Sequence, residues 1–272
     1  DAAQLEERAT VSREMVQVVC RSLLVVLTAA LFTSPSASAQ DRNEEPPHEV
    51  TFTGLLYEMI DRSVLAAWPS PAYTTKQFSS YDRRSVSPDD PTDEGWFANA
   101  DAGKYLRSEE RDGRTEWVMV EADGPGAIVR IWSANPSGKV RFYFDHEERA
   151  SFQVDFLALL NGTGPVPPPL SAVRARGANL YLPIPYFEHV KLTIESPNAR
   201  GMYYQINYRT YEPGTMAQTF VPALLRTQAH HLDLITKHLL NPGADDPPIQ
   251  PVMAAAPLAP GKTQLVFEAS QG

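Results

Sequence analysis

The chain has 272 residues, of which 24 are Lys or Arg and 33 are Asp or Glu, giving a net charge of −9 at pH 7. This length is enough for one or two domains with their own hydrophobic cores. The acidic balance argues against a nucleic-acid-binding protein, because such proteins need clustered Lys and Arg to neutralise phosphates.

Residues 1–39 are predicted to be an upstream extension followed by a secretory signal peptide. Met15 is followed by a basic residue, by an apolar run at 23–32 and by an Ala-Ser-Ala motif at 37–39. This order of basic, apolar and small residues is typical of such a signal, so cleavage is expected before Gln40. The apolar run is too short to span a bilayer. We therefore expect a secreted or periplasmic bacterial protein that makes no membrane contact after cleavage.

The segments that follow the signal are read from charge, periodicity and proline content. Residues 40–51 are charged and contain prolines, which is typical of a mobile arm. Apolar residues at helical spacing predict a helix from Gly54 to Trp68, ended by the prolines that follow it. Residues 70–105 are predicted to be a long, mostly irregular loop, and long ordered loops in domains are often functional.

The stretch from Trp117 to Asp145 predicts three short strands joined by tight turns. Apolar residues recur at every second position, and Gly-Pro-Gly and Asn-Pro-Ser-Gly interrupt the runs. Because parallel neighbours need a long crossover, these strands are expected to form an antiparallel meander. The side chains expected in the core of this sheet pair are Ile128, Ile131, Val140, Phe142 and Phe144.

The rest of the chain predicts further strands, a late helix and the beginning of another domain. Strand-like runs continue through 152–160, 180–187, 190–195 and 202–211, and a helical stripe covers 219–240. Regular short strands with turn signals indicate an all-β, antiparallel jelly-roll sandwich at 52–240 with helices only at its ends. The Pro- and Ala-rich composition of 241–260 indicates a linker. A new strand at 262–269 then predicts that 261–272 begin a second, truncated jelly roll.

The composition argues against cofactors and metals. The one cysteine, Cys20, lies inside the predicted signal, so no disulfide or thiolate metal site is expected. No P-loop, GxGxxG, HExxH or GxSxG motif occurs. His230, His231 and His238 lie on the late helix, and the last two are seven residues apart, which favours a partly solvated helix over a metal site.

Two groups of residues are candidates for carbohydrate chemistry. Phe78, Tyr81, Asp82, Arg83 and Trp132 offer aromatic faces, a carboxylate and guanidinium groups, which is how proteins hold sugars. A structural aromatic cluster explains the same residues equally well.

Glu147 and Glu148, after the third predicted strand, could flank a glycosidic bond as a carboxylate pair. An acidic turn between strands is the simpler interpretation of the same residues.

Six motifs occur in a characteristic order along the chain. They are FSSYDRRS at 78–85, GWFANAD at 95–101, DGPGAIVRIWSANPSG at 123–138, RFYFD at 141–145, LYLPIPY at 180–186 and YYQINYRTYEPGT at 203–215. Together they resemble the family of domain of unknown function 2961, also classed as glycoside hydrolase family 172. The resemblance covers roughly 52–240 and the strand at 262–269.

This resemblance implies two tandem jelly rolls per protomer, assembled as a homotrimer or homohexamer. It implies a carbohydrate substrate with fructofuranose or arabinofuranose linkages, cleaved with retention by two glutamates. Both glutamates are expected beyond residue 272, so this chain alone should be inactive, with Glu147 and Glu148 as the fallback pair. The alternatives are a non-catalytic carbohydrate-binding module and a jelly-roll protein that only assembles rings.

Overall fold

Runs of alternating apolar and polar residues form the β-strands around which the fold is built. The computed structural model describes residues 49–87, 89, 98–243 and 261. The predicted signal peptide and the predicted strand at 262–269 lie outside these residues, as do most of the predicted arm and linker.

The secondary structure of the described residues consists of short strands and a few short helices. The strands are β1 Glu49–Val50, β2 Tyr73–Ser79, β3 Arg107–Arg111, β4 Arg114–Asp123, β5 Gly126–Ala134, β6 Lys139–Phe144, β7 Phe152–Asp155, β8 Ser171–Arg174, β9 Gly177–Leu180, β10 Ile184–Tyr186, β11 His189–Glu195, β12 Tyr203–Tyr211 and β13 Met216–Ala217. The α-helices are α1 Phe52–Glu58, α2 Phe156–Asn161, α3 Leu224–Thr227 and α4 Ala229–Leu240, and two 3₁₀ turns cover Arg62–Leu65 and Ala199–Gly201.

Two antiparallel sheets form the sandwich. The six-stranded sheet has the order β2-β12-β5-β9-β8, with β10 also paired to β5, and the five-stranded sheet has the order β3-β4-β11-β6-β7. The early strands β2 and β4 pair with the late strands β12 and β11, so each sheet joins distant parts of the chain. This pairing of early with late strands is that of a jelly roll and confirms the predicted fold class.

The predicted meander is wrong in its pairing, although its three strands are present. β4 and β6 lie in the five-stranded sheet, where both pair with β11, whereas β5 lies in the six-stranded sheet beside β12. The short turns therefore carry the chain from one sheet to the other. Period-2 patterning shows which face of a strand is buried but not which strand lies beside it, so sequence alone favoured the nearest neighbours.

The core lies between the two sheets and contains the side chains predicted for it. Ile128, Ile131, Val140 and Phe142 are fully buried, and Phe144 is 1% exposed. The aromatic rings pack in series, with the ring centres of Phe142 and Phe144 6.2 Å apart. The predicted burial of these residues is therefore confirmed.

The helix predicted from Gly54 to Trp68 is replaced by two shorter elements. Thr51 caps α1 by accepting the Gly54 N–H at 3.0 Å, and α1 ends at Glu58. The Asp61 carboxylate then accepts the Ser63 N–H at 2.8 Å and starts a 3₁₀ turn. Such local side-chain bonds compete with helix continuation, so the apolar periodicity overestimated the length of this helix.

Three other segments differ from the sequence prediction. The run at 152–160 is a strand only as far as Asp155, whose side chain caps α2. The loop predicted at 70–105 contains the strand β2. The late helical region begins at Leu224 rather than 219 and is divided into α3 and α4, with Leu224, Leu232 and Ile235 on the buried face. Within the described ranges, no helix is both long and apolar enough to cross a membrane.

Candidate functional site

Asp82 lies in the loop after β2, where the sequence predicts contacts to a sugar. Its side chain is 2% exposed, and it accepts hydrogen bonds from the Arg84 guanidinium at 2.6 Å and the Ala100 N–H at 3.1 Å. The Asp82 N–H donates to Asp101 Oδ1 at 2.8 Å. The hydrogen bond from Arg84 holds the pKa of the Asp82 carboxyl well below its usual range, although burial opposes this shift. Asp82 therefore ties two parts of the loop together.

Tyr81 and Arg83 flank this carboxylate in sequence, and Tyr81 is exposed whereas Arg83 is half-buried. Tyr81 is 52% exposed, and the Arg83 guanidinium lies 4.8 Å from the centre of its ring. Arg83 also donates to the Ser79 carbonyl at 3.3 Å and lines a cavity of about 320 Å³. Tyr105 and Trp117, with ring centres 5.4 Å apart, form another part of its wall. Aromatic faces beside a guanidinium group suit a sugar ring and its hydroxyls.

Phe78 and Trp132 do not join these residues in one pocket. The Phe78 ring stacks on Tyr208, with ring centres 5.1 Å apart, and packs against the core. On β12, Phe78 is paired with Ile206 and Trp132 with Gln205. Because neighbouring residues of a strand point to opposite faces, Phe78 and Trp132 lie on opposite faces of the six-stranded sheet. The substrate-binding roles of the five residues stay predictions.

Asp82→Asn is expected to loosen the loop rather than to remove a sugar contact. The loss of charge weakens the bond to Arg84, so the Ala100 amide should exchange with solvent roughly tenfold faster. Hydrogen exchange measured by NMR would test this, with the exposed Asp89→Asn as matched control. Unchanged Ala100 exchange together with weaker sugar binding would instead assign Asp82 to the substrate.

Glu147 and Glu148 lie in the exposed turn between β6 and β7. The Ser151 hydroxyl donates to the Glu147 carboxylate, and the Arg111 guanidinium donates to the Glu148 main-chain carbonyl at 2.7 Å. Asp145, at the start of this turn, has a positive φ of 48°. These contacts suit an acidic turn, and a catalytic role for either glutamate stays a prediction.

A larger groove, about 600 Å³ in volume, lies beside the 3₁₀ turn that follows α1. Trp68, at its wall, is 88% exposed, and Leu65 is 85% exposed. We call it the Trp68 groove. Its lining includes Glu58, Leu65, Trp68, Tyr73, Arg209 and Tyr211.

A charged pair surrounded by aromatic rings lies in this groove. Arg209 Nη1 lies 2.5 Å from Glu58 Oε2, and the Arg209 guanidinium lies 4.3 Å from the centre of the Tyr73 ring. Burial disfavours the charged form of Arg209, but its hydrogen bonds to Glu58 and Tyr211 outweigh this and raise its pKa. The same pair lines a neighbouring cavity of about 280 Å³. The exposed Trp68 ring can stack on a sugar, and the ion pair can bind its hydroxyls.

Sequence reasoning missed the Trp68 groove. The signal available was Trp68 followed by Pro69-Ser70-Pro71, which was interpreted only as the end of a helix. Glu58 and Arg209 are 151 residues apart, so their contact follows from the sandwich topology and not from any local pattern.

The late histidines do not form a metal site with one another. The Tyr57 hydroxyl lies 2.9 Å from His231 Nδ1, and the rings of His230 and His231 meet nearly edge to face. In the part of the chain that the structure describes, no three His, Cys, Asp or Glu side chains cluster closely enough to hold a metal ion.

Five carboxyl groups of the described residues have a lowered pKa. In Glu109 and Glu116 burial opposes the shift, and hydrogen bonds from basic and hydroxyl groups outweigh it. The shifted carboxyls are Asp61, Asp82, Glu109, Glu116 and Glu121.

Comparison with known proteins places this sandwich in a family. The family model described as the GH172 first beta-sandwich domain matches residues 71–228, which is more than half of the chain. The matched region spans β2 to the beginning of the late helices and includes both large sheets. A search of the curated proteins gives no match.

Proposed function

We propose, since this chain belongs to the GH172 family of glycoside hydrolases, that it supplies the sugar-binding first sandwich of an enzyme that cleaves furanosides. The substrate is a glycan with fructofuranose or arabinofuranose linkages, and the reaction retains the anomeric configuration through two glutamates. The family match supports the hydrolase class, and the resemblance of the sequence motifs supports the finer statements.

The observation that carries a binding role is the Trp68 groove. Trp68 offers an almost fully exposed ring, and the Glu58–Arg209 pair offers a fixed acceptor and a fixed donor beside it. Ligand sites are commonly clefts of about 300–1,000 Å³ with aromatic walls and few polar groups. A furanose ring stacked on Trp68 would place its hydroxyls near the ion pair.

The catalytic glutamates are proposed to lie in the second jelly roll. A retaining pair needs two carboxyls about 5–5.5 Å apart, one of them with a raised pKa. Glu147 and Glu148 are the first candidates if the sandwich proves active alone.

Export and self-association complete the proposal. The signal-like segment at 1–39 supports secretion or a periplasmic location. The resemblance supports a homotrimer or homohexamer, with pockets shared between protomers. N-terminal sequencing of exported protein, expected to begin at Gln40, and sedimentation analysis would test these two statements separately.

Trp68→Ala in the complete gene product is expected to raise KM for furanosides about tenfold, because one stacking surface is lost. The kcat should change little, since the ring contacts bound sugar and does not act on the scissile bond. Hydrolysis of α- and β-linked arabinofuranosides and fructofuranosides would be measured, with matched pyranosides as negative substrates. Tyr203→Ala, which removes a 39% exposed ring outside the groove, is the matched control.

The result also separates the three candidate functions. Hydrolysis of furanosides that depends on Trp68 supports the enzyme. Sugar binding without hydrolysis by the complete product would favour a carbohydrate-binding module. A protein that forms rings but neither binds nor cleaves any glycan of the panel would favour the assembly role and contradict the proposal.

A further inference from the structure

A cavity of about 260 Å³ lies between the β3–β4 turn and the β6–β7 turn of the five-stranded sheet. Arginines are concentrated at its wall, although the chain as a whole carries an excess of negative charge. We call it the arginine cavity. Its charged lining residues are Arg111, Asp112, Arg114, Arg141, Glu148 and Arg149.

Arg141 is held in this wall by partners that use only part of its guanidinium group. Its side chain is 5% exposed, Nη2 lies 2.5 Å from Glu195 Oε2, and Nε lies 3.8 Å from Glu116 Oε1. The remaining nitrogen, Nη1, is buried and has no hydrogen-bond partner among the described residues. A buried guanidinium nitrogen without an acceptor is costly, so a ligand that supplies one would be favoured.

Arg111 and Arg149 also carry positive charge that nearby carboxylates do not fully neutralise. Arg111 Nη1 donates to a neutral acceptor, the Glu148 carbonyl, at 2.7 Å, and its nearest carboxylate, that of Glu109, is 3.5 Å away. Arg149 is exposed and makes no ion pair with any described residue. Arg149 therefore differs from Arg114, which is matched by carboxylates, and the ion pair of Arg111 is longer than that of Arg114 with Glu116.

Arg114 lines the arginine cavity, but two carboxylates already neutralise its positive charge. Its Nε lies 2.8 Å from Glu116 Oε1, and its Nη1 lies 3.1 Å from Asp112 Oδ2. Asp112 is at the turn of the β3–β4 hairpin, where its backbone has a φ of 48°. The hairpin thus fixes Arg114 beside the opening while its charge is neutralised.

We propose that the arginine cavity binds a small oxyanion, either a free phosphate or sulfate or an anionic group carried on a sugar. Guanidinium groups match the oxygen geometry of such anions and donate paired, charge-assisted hydrogen bonds to them. Arg141 Nη1, Arg111 and Arg149 supply the donors, on rigid strands and a short turn. This site lies apart from the Trp68 groove, and the proposal does not rest on the function proposed above.

Two acidic side chains in the wall of the arginine cavity limit its affinity for anions. Asp112 is 84% exposed and already paired with Arg114, and Glu148 is exposed. Both repel an incoming anion, so binding should be weak and should fall as salt is raised.

Isothermal titration of the full chain tests the proposal with defined probes. The probes are inorganic phosphate, sulfate and methyl glucuronide, with neutral methyl glucoside and matched sodium chloride as references. Arg149→Gln is the main variant, because its exposed side chain has no ion-pair partner among the residues that the structure describes. Arg226→Gln, another exposed arginine remote in sequence from the cavity, is the matched control.

The expected result is binding of at least one anion, weakened about tenfold by Arg149→Gln and unchanged by Arg226→Gln. Phosphate or sulfate binding with no response to methyl glucuronide would identify a free oxyanion, and the reverse would identify a sugar-borne carboxylate. Equal affinities for the two variants, or no anion binding above the chloride reference, would overturn the proposal. A changed sedimentation coefficient of Arg149→Gln with unchanged anion affinity would also overturn the proposal. The arginines would then form contacts between copies of the chain.

Discussion

Replacing Phe142 by Ala is expected to lower the free energy of unfolding by about 3–5 kcal/mol. The Phe142 ring is fully buried between the sheets and lies 5.4 Å from the ring of Phe152 and 6.2 Å from that of Phe144. Close packing on all sides leaves the surrounding side chains little room to collapse. The loss in the free energy of unfolding therefore includes both the transfer free energy of the ring and the penalty for the cavity that remains. Urea denaturation followed by tryptophan fluorescence would measure it.

Leu157→Ala provides the matched comparison for Phe142. Leu157 is 42% exposed and lies in α2, where Ala is a favourable residue, so the expected change is within about 0.5 kcal/mol. Equal losses for the two variants would mean that β6 does not form the centre of the core.

The strands of this sandwich could be predicted from sequence because their burial is local information. Val140, Phe142 and Phe144 alternate with more polar residues, and the turn at Asn135–Gly138 marks where β6 begins. The pairing could not be predicted, because β6 binds β11, about fifty residues later, and nothing in β6 itself specifies that partner. Short turns suggested a hairpin, whereas in a jelly roll they cross between sheets.

One strand also shows a limit of the simple two-faced pattern. Tyr143, which alternates with the core residues of β6, is only 2% exposed on the outer face. Its hydroxyl donates to Glu116 at 2.7 Å, and Lys191 lies 5.0 Å from the centre of its ring. Long charged side chains of neighbouring strands cover it, so its burial depends on residues outside β6, such as Glu116 and Lys191.

The candidate site was only partly predictable for the same reason. Tyr81 faces solvent as a loop motif suggests, but Arg83 is half-buried and Asp82 is enclosed by its neighbours. Residue type identifies groups able to bind sugar, whereas burial and partners decide whether they are free to do so. The Glu58–Arg209 pair joins α1 to β12 and appears only when the fold is complete.

Glu116→Ala is expected to destabilise the protein by about 3–5 kcal/mol, because it breaks a buried ionic network and leaves the Tyr143 and Thr193 hydroxyls without their acceptor. The Glu116 side chain is fully buried and accepts hydrogen bonds from the Thr193 hydroxyl at 2.6 Å and the Arg114 guanidinium at 2.8 Å. Arg141, 3.8 Å away, is almost as deeply buried. Denaturation midpoints at neutral pH would measure the loss.

Two further variants test whether the stability lost in Glu116→Ala comes from the buried charge of Glu116. Glu110→Ala removes an exposed glutamate from the neighbouring strand, where its bond to Thr115 is solvent-accessible, and should cost less than about 1 kcal/mol. Glu116→Leu combined with Arg141→Leu should cost less than Glu116→Ala alone, since an apolar pair leaves no buried cation. A double variant as unstable as the sum of its single variants would contradict an ionic origin.

The pH dependence of stability gives the last test of Glu116. Burial raises the pKa of its carboxyl, but hydrogen bonds from Thr193, Tyr143 and Arg114 outweigh that and leave the pKa below its ordinary value of 4.5. The unfolded chain therefore binds the proton more readily, so this stabilisation is present above about pH 4.5 and is lost as pH falls through the lowered pKa. Other carboxyls with lowered pKa titrate in the same window, so the informative quantity is the difference between wild type and Glu116→Gln. That difference should be largest at neutral pH and shrink on acidification, and a constant difference across the window would show that the Glu116 charge does not stabilise the fold.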